Sequence, residues 1–96
     1  MDEQIINKLF EAILFLETVN QCNAFFLDLC SLDELNTISQ RFTIALMLDE
    51  GSTYDEIVAK TGASTATISK VNQCLKYGTD GYRFIIDRLK ENVDNE

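Results

Sequence analysis

Histidine, tryptophan and proline are absent from this 96-residue chain, and glycine occurs only four times. Without histidine the commonest general acid–base residue is missing, and a mixed Cys/His zinc site cannot form. The chain also has no serine in a nucleophile-elbow motif and no glycine-rich phosphate loop. The scarcity of proline and glycine excludes collagen-like and linker-rich chains. We therefore expect a folded domain that is not an enzyme and holds no metal.

Cysteine is also scarce, with Cys22, Cys30 and Cys74 as the only members. An odd number of thiols without Cys-x-x-Cys spacing is a poor disulfide framework, and the apolar neighbours predict three buried, reduced side chains. The acidic N-terminus does not resemble a signal peptide. Even the longest apolar runs, of which residues 12–16 are one, are too short to span a membrane. These features predict a cytoplasmic protein that does not enter the membrane.

Basic residues are few, and their distribution is uneven. Eight Lys and Arg oppose sixteen Asp and Glu, a net charge of −8 that argues against nonspecific coating of nucleic acid. Residues 1–56 carry a net charge of −9, whereas residues 57–79 contain three lysines and no acid. The charge therefore points to one segment that is suited to contact with DNA, on a protein that should bind DNA weakly away from its specific sites.

The apolar periodicity predicts an all-α fold of six helices in a single domain, residues 1–96. Ile5, Leu9, Ile13 and Leu16 form one stripe of the first helix, and neighbouring apolar residues make its face unusually wide. A face this wide needs cover on more than one side. We therefore assign residues 1–30, with a second helix near 20–29, to dimerisation.

Local signals mark the remaining helices. Two S/T-x-x-E capping boxes, at Ser31 and Thr53, each predict the start of a helix. Glycines are placed to end helices at Gly51, Gly62 and Gly78. A closing helix over residues 80–93 would direct Val93, among other apolar residues, inward.

Residues 54–75 match the spacing of a helix-turn-helix. In this arrangement Gly62 occupies the turn, where a positive φ is often needed, and Ile68 and Val71 pack the second helix onto the domain. At 100° per residue, the opposite face presents short, non-acidic side chains suited to reading base edges in a major groove. The predicted readers are Thr65, Ala66, Ser69 and Gln73.

The same segment offers groups that can hold phosphates. Lys60, Lys70 and Lys76 are the three cations of residues 57–79, and Ser64 and Thr65 lie at the start of the second helix, where the helix dipole favours an anion. An ordinary polar surface helix is the alternative, but such a helix in an acidic protein usually carries glutamate. Tyr77 and Tyr82 are expected to pack rather than to stack on bases.

The stretch from Leu29 to Tyr82, and above all the run Thr61-Gly62-Ala63-Ser64-Thr65-Ala66-Thr67-Ile68-Ser69, resembles the Trp repressor superfamily. The chain is most similar to the YerC/YecD group of Trp-repressor-like proteins. The resemblance implies an intertwined homodimer that binds a palindromic double-stranded DNA operator and regulates transcription in bacteria.

The resemblance also assigns individual positions. Thr65, Ala66 and Ser69 stand where the Trp repressor reads bases, and Thr67 stands where it contacts the DNA backbone. Arg41 and Lys70 match two arginines of the tryptophan pocket, although Arg41 could instead pair with a nearby acid. Val71 replaces the glycine that leaves room for the indole. Tryptophan is therefore not expected as corepressor, no cofactor is assigned, and any small-molecule effector is unknown.

Two functions follow from these observations. The first is a dimeric, sequence-specific DNA-binding regulator, and more specifically a repressor. The alternative is an acidic helical module that binds another protein and does not use its helix-turn-helix on DNA.

Overall fold

Six helices make up the computed structural model, which describes residues 2–94. They are α1 (Glu3–Ile13), α2 (Val19–Leu29), α3 (Leu32–Asp49), α4 (Tyr54–Thr61), α5 (Thr65–Tyr77) and α6 (Gly81–Asp94). The described residues contain no strand, so the predicted all-α fold is confirmed. None of these helices is long and apolar enough to cross a membrane.

The first compact unit spans Met1–Leu35 and contains α1 and α2, neither of which has a fully buried residue. α1 ends at Ile13, so Leu16 does not continue its stripe as predicted. Leu16 instead closes a tight turn, in which its N–H donates to the Ile13 carbonyl at 3.0 Å. Thr18 then caps α2 by accepting from the N–H of Gln21 at 3.0 Å.

The second unit spans Asn36–Glu96 and holds the hydrophobic core. Its buried residues come from α3, α4, α5, α6 and the α4–α5 turn, and they are Ile44, Ala45, Ile57, Ala63, Ile68, Val71 and Ile86. The predicted inward positions of Ile68 and Val71 are thus confirmed, and Ile57 of α4 is buried beside them. Ile85 and Leu89 of α6 remain exposed, and the side chain of Val93 lies outside the described part of the chain.

The predicted capping boxes bound the helices as expected. At the start of α3 the Ser31 backbone N–H donates to the Glu34 carboxylate at 2.8 Å, and the Glu34 backbone N–H donates to the Ser31 hydroxyl at 3.1 Å. At the other end of α3, Gly51 has φ +88°, and the N–H groups of Gly51 and Ser52 donate to Leu48 and Met47. These two bonds form a Schellman motif, which satisfies the last carbonyls of the helix.

An ion cluster joins the end of α3 to α6. The Asp49 carboxylate, whose side chain is only 10% exposed, lies 2.8 Å from the Arg83 guanidinium and also pairs with the Lys90 ammonium. Hydrogen bonds from these two cations lower the pKa of the Asp49 carboxyl group, and the bond from Lys90 has the larger effect. An acid at a helix C-terminus opposes the helix dipole, so these two cations offset an unfavourable placement.

We expect Asp49→Asn to lower the free energy of unfolding by about 1 kcal/mol at neutral pH, because two charge-assisted contacts weaken. A carboxylate with a depressed folded-state pKa stabilises the fold above its unfolded pKa, near 3.8, and loses this effect as pH falls through the folded pKa. The difference between variant and wild type in urea unfolding should therefore shrink below pH ~4.

Asp87→Asn is the matched control. Asp87 also pairs with Arg83, at 3.1 Å, but its side chain is mostly exposed. We expect a change of less than about 0.5 kcal/mol for this variant. Two results would contradict the stabilising role of the cluster. One is an equal loss of unfolding free energy in both variants, and the other is a loss for Asp49→Asn that persists at low pH.

Candidate nucleic-acid interface

α5 is held against the core along one side. Ile68 and Val71 are buried and Leu75 is half-buried, which places the three on the inward side of the helix. Ser64 caps the helix by accepting from the N–H of Thr67 at 3.2 Å. Because the inward side is anchored at successive turns, the opposite side must face solvent.

The structure places the predicted DNA-contacting residues on exposed positions, with one exception. The exposed members are Lys60, Ser64, Thr65, Ala66, Ser69, Lys70, Gln73 and Lys76. Thr67 is half-buried, and its hydroxyl lies 3.0 Å from the Ser64 hydroxyl. The Thr67 hydroxyl is thus partly occupied in the helix cap, and Thr67 is the member of the set that is least available to DNA.

The turn between α4 and α5 is fixed by hydrogen bonds that the sequence did not reveal. The Thr61 hydroxyl donates to the Ile57 carbonyl at 2.8 Å and accepts from the Ala63 N–H at 3.2 Å. The Gln40 side-chain amide of α3 donates to the Thr61 carbonyl at 3.0 Å. Gln40 therefore ties the helix-turn-helix to α3, although nothing in its sequence position distinguishes it from a surface polar residue.

Negative charge on this surface lies only at the start of α4 and precedes in sequence the residues that would face DNA. Asp55 and Glu56, in the first turn of α4, are exposed acids, whereas residues 57–79 contain no acid at all. The backbone N–H of Thr53 donates to the Glu56 carboxylate at 2.9 Å, and this bond is the main cause of a lowered Glu56 pKa, with the Thr53 side chain as the second cause. Glu56 thus remains charged in its capping role, while the lysines of residues 57–79 lie in the last turn of α4 (Lys60) and in α5 (Lys70 and Lys76).

A pocket of about 270 Å³ opens beside α5. The structure brings Arg41 of α3 and Lys70 of α5 together on its wall, as the resemblance implied. The complete lining consists of Arg41, Ala66, Thr67, Lys70, Val71, Cys74 and Tyr82. Among residues 2–94 Arg41 forms no ion pair, so the alternative that a nearby acid binds it is not realised.

Two expectations about packing were wrong. Tyr82 stacks on Phe42 with ring centroids 6.5 Å apart, as a packing residue should, but Tyr77 is 84% exposed. The thiols of Cys22 and Cys74 are exposed, and that of Cys30 is only half-buried. Apolar neighbours in sequence did not predict burial here, because the faces of α2 and α5 that carry these residues are not covered.

A family model described as Trp repressor protein matches residues 4–90. The chain belongs to the Trp repressor family. The YerC protein of Bacillus subtilis (strain 168), which is described as uncharacterized, is 49% identical over 86 residues, covering 90% of this chain and 83% of YerC. The resemblance to this superfamily and to YerC is thereby confirmed.

Two solved structures share the fold as well as the sequence. A TrpR-like protein from Eubacterium eligens ATCC 27750 has a TM-score of 0.89 and 48% identity, covering 93% of this chain and 92% of its own. A candidate Trp repressor from Staphylococcus aureus has a TM-score of 0.88 and 44% identity, covering 93% and 89%. The six-helix Trp-repressor-like architecture follows from both.

Val71 stands where the Trp repressor pattern has the glycine that leaves room for the indole ring. Its side chain is 3% exposed and belongs to the buried core, yet it also borders the pocket. A β-branched side chain here takes volume that a glycine would leave open, so the pocket is narrowed on the side of α5.

Gly62 ends α4 and Gly78 ends α5, and we expect their replacement by alanine to have different costs. Gly62 has φ +72° with open space around its missing Cβ, so Gly62→Ala should cost about 1 kcal/mol of backbone strain. A Cβ at Gly78 would overlap the Cys74 carbonyl oxygen, so Gly78→Ala should cost about 2 kcal/mol or more.

Gly81→Ala is the control, because a Cβ there would make only an ordinary contact with the Thr79 hydroxyl at 3.9 Å. This substitution should be neutral or slightly stabilising. Urea unfolding of the three variants provides the comparison. A loss at Gly81 as large as that at Gly78 would show that steric overlap with Cys74 is not what requires glycine at the end of α5.

Proposed function

We propose that this protein is a sequence-specific, DNA-binding transcriptional repressor that acts as a homodimer in the bacterial cytoplasm. The observation that carries the proposal is the outward side of α5, which is exposed, free of acids and built from short polar side chains. Small side chains let the helix approach base edges closely, and Thr and Ala methyls suit contact with thymine. Membership of a regulatory family supports this reading over an enzymatic one.

Each surface group has a role in the proposed complex. Thr65, Ala66, Ser69 and Gln73 read bases, in part through bridging water. The phosphate contacts are assigned to the cations and to the start of α5, namely Lys60, Ser64, Thr67, Lys70 and Lys76. Two copies of α5 would enter successive major grooves about 34 Å apart on a palindromic operator.

The homodimer is supported by apolar side chains that the described chain leaves in solvent. Leu14 and Phe15 are each 83% exposed and Ile5 is 70% exposed, all three in or directly after α1. Burying a side chain of this size contributes about 1.5–3 kcal/mol, so leaving three of them exposed is unfavourable for an isolated monomer. A second copy, with its own wide apolar faces, is the partner whose surface chemistry matches.

The pocket beside α5 is proposed as an effector site centred on Arg41 and Lys70. Its lining shares Ala66, Thr67 and Lys70 with the DNA-facing surface, so a bound molecule would lie next to the operator. Because Val71 narrows the pocket, we do not assign tryptophan as the effector.

The recognition surface can be tested with Lys70→Glu. Lys70 is exposed and forms no ion pair among the described residues, so the fold and the dimer should be unchanged. Loss of a phosphate contact together with charge repulsion should abolish binding to duplexes that the wild type enriches from a random-sequence library, measured by gel shift.

Arg88→Glu makes the same change in net charge at an exposed position of α6, where no DNA contact or dimer contact is assigned, and should retain binding. Unchanged affinity for Lys70→Glu would mean that the recognition surface lies elsewhere. Failure of the wild type to enrich any duplex would favour the acidic protein-interaction module.

A further inference from the structure

Tyr77, the last residue of α5, is 84% exposed, whereas the sequence predicted that it packs. Among residues 2–94 its hydroxyl forms no hydrogen bond and its ring contacts no other ring. Tyr82 differs, because its ring stacks on Phe42. A single exposed apolar side chain is common on protein surfaces, so the direction in which Tyr77 projects, rather than its exposure, decides what it can contact.

Tyr77 lies on the outward side of α5. At about 100° per residue it stands about 180° from the buried Ile68. It lies about 20° from both Ala66 and Lys70 and about 40° from Gln73, all of them exposed. Tyr77 therefore continues the side that carries the assigned DNA contacts to the C-terminal end of the helix.

The length of α5 determines which part of DNA Tyr77 meets. Recognition helices read base edges with their N-terminal residues, inside a major groove about 12 Å wide. At ~1.5 Å per residue, Gln73 lies ~10 Å and Tyr77 ~16 Å along the axis from Ala66. With Ala66 at the bases, Gln73 remains within the width of the groove, whereas Tyr77 extends past it to the sugar–phosphate backbone.

A tyrosine side chain suits that position. Its hydroxyl can donate to a phosphate oxygen, and tyrosine is among the side chains that make such contacts in protein–DNA complexes. The ring can cover the adjoining sugar, since tyrosine presents an apolar body beside a polar tip. No acid lies within residues 57–79 to repel the phosphate, and the neighbouring Lys76 is exposed and adds a positive charge.

We propose that the Tyr77 hydroxyl of each subunit donates a hydrogen bond to one DNA phosphate at the edge of the major groove. The inference rests on the proposed function, because it requires α5 to enter a major groove. A neutral donor releases no counterion, so this contact adds affinity without adding to the salt dependence. The contact also carries no sequence information, since every base pair has the same phosphates.

The test compares Tyr77→Phe with Lys76→Gln on a duplex that the wild type enriches from a random-sequence library. Tyr77→Phe removes only the hydroxyl. Because a hydrogen bond to a charged group changes an equilibrium about tenfold or more, this variant should bind at least about tenfold more weakly, with an unchanged slope of log K against log salt. Lys76→Gln should also weaken binding, but it should make the slope less steep by about 1.8, which is ~0.9 from each of two subunits.

Thr79→Val is the matched control. It removes one exposed hydroxyl with little change of shape, at a position that follows the end of α5. This variant should keep the wild-type affinity for the duplex. Urea unfolding and sedimentation should show wild-type stability and oligomeric state for all three variants, because each substitution changes an exposed side chain.

The contacted phosphate can be identified with duplexes in which single phosphates are replaced by uncharged methylphosphonates. Replacement at the contacted position should weaken binding of the wild type much more than binding of Tyr77→Phe, whereas replacements elsewhere should affect both proteins equally. Enrichment repeated with Tyr77→Phe should return the same preferred bases.

Three results would overturn the inference: an unchanged affinity of Tyr77→Phe, a change in the bases that this variant prefers, or the absence of any phosphate whose replacement has an effect that depends on Tyr77. Loss of affinity in Tyr77→Ala but not in Tyr77→Phe would assign the ring to a base or to the second subunit, and not the hydroxyl to a phosphate. If the wild type enriches no duplex, the proposed function itself fails. If it enriches one that Tyr77→Phe binds equally well, only the placement of Tyr77 fails.

Discussion

Burial of Ile68 and Val71 on one side of α5 is the constraint on which the proposed interface depends. Both side chains lie in one cluster with Ile44 of α3, Ile57 of α4 and Ile86 of α6. Rotating α5 about its axis would expose these residues at a cost of about 1.5–3 kcal/mol each. The core therefore fixes the rotation of α5 about its axis. Because the apolar residues of the helix must stay buried, its short polar residues are the ones that face solvent.

Helix boundaries could be predicted from the sequence because their causes are local. The capping boxes at Ser31 and Thr53 join groups three residues apart, and such spacing is visible in a single chain. By contrast, the hydrogen bond from Gln40 to Thr61 joins residues 21 positions apart, and that from Arg83 to Asp49 joins residues 34 positions apart. No local sequence pattern predicts either bond. These longer contacts nevertheless hold the helix-turn-helix and α6 against α3.

The candidate site divides in the same way. Helical periodicity alone predicted the exposed side of α5, whereas the pairing of Arg41 with Lys70 at one pocket came only through the family resemblance. The exposure of Tyr77 and Cys74 was not predicted, because composition shows that a residue is apolar but not whether a neighbour covers it. For α1 the sequence was informative about cover, because its apolar face is wider than one neighbouring helix can bury. That width is what predicted a dimerising role for residues 1–30.

The uneven charge and the small-residue face of α5 lead to one central claim, that this acidic protein binds DNA through a local cationic surface. The salt dependence of its affinity for an enriched duplex tests this claim most directly. With Lys60, Lys70 and Lys76 from each of two subunits on phosphates, log K should fall linearly with log salt with a slope of about −5. A slope near zero, or no saturable binding at low salt, would contradict the account.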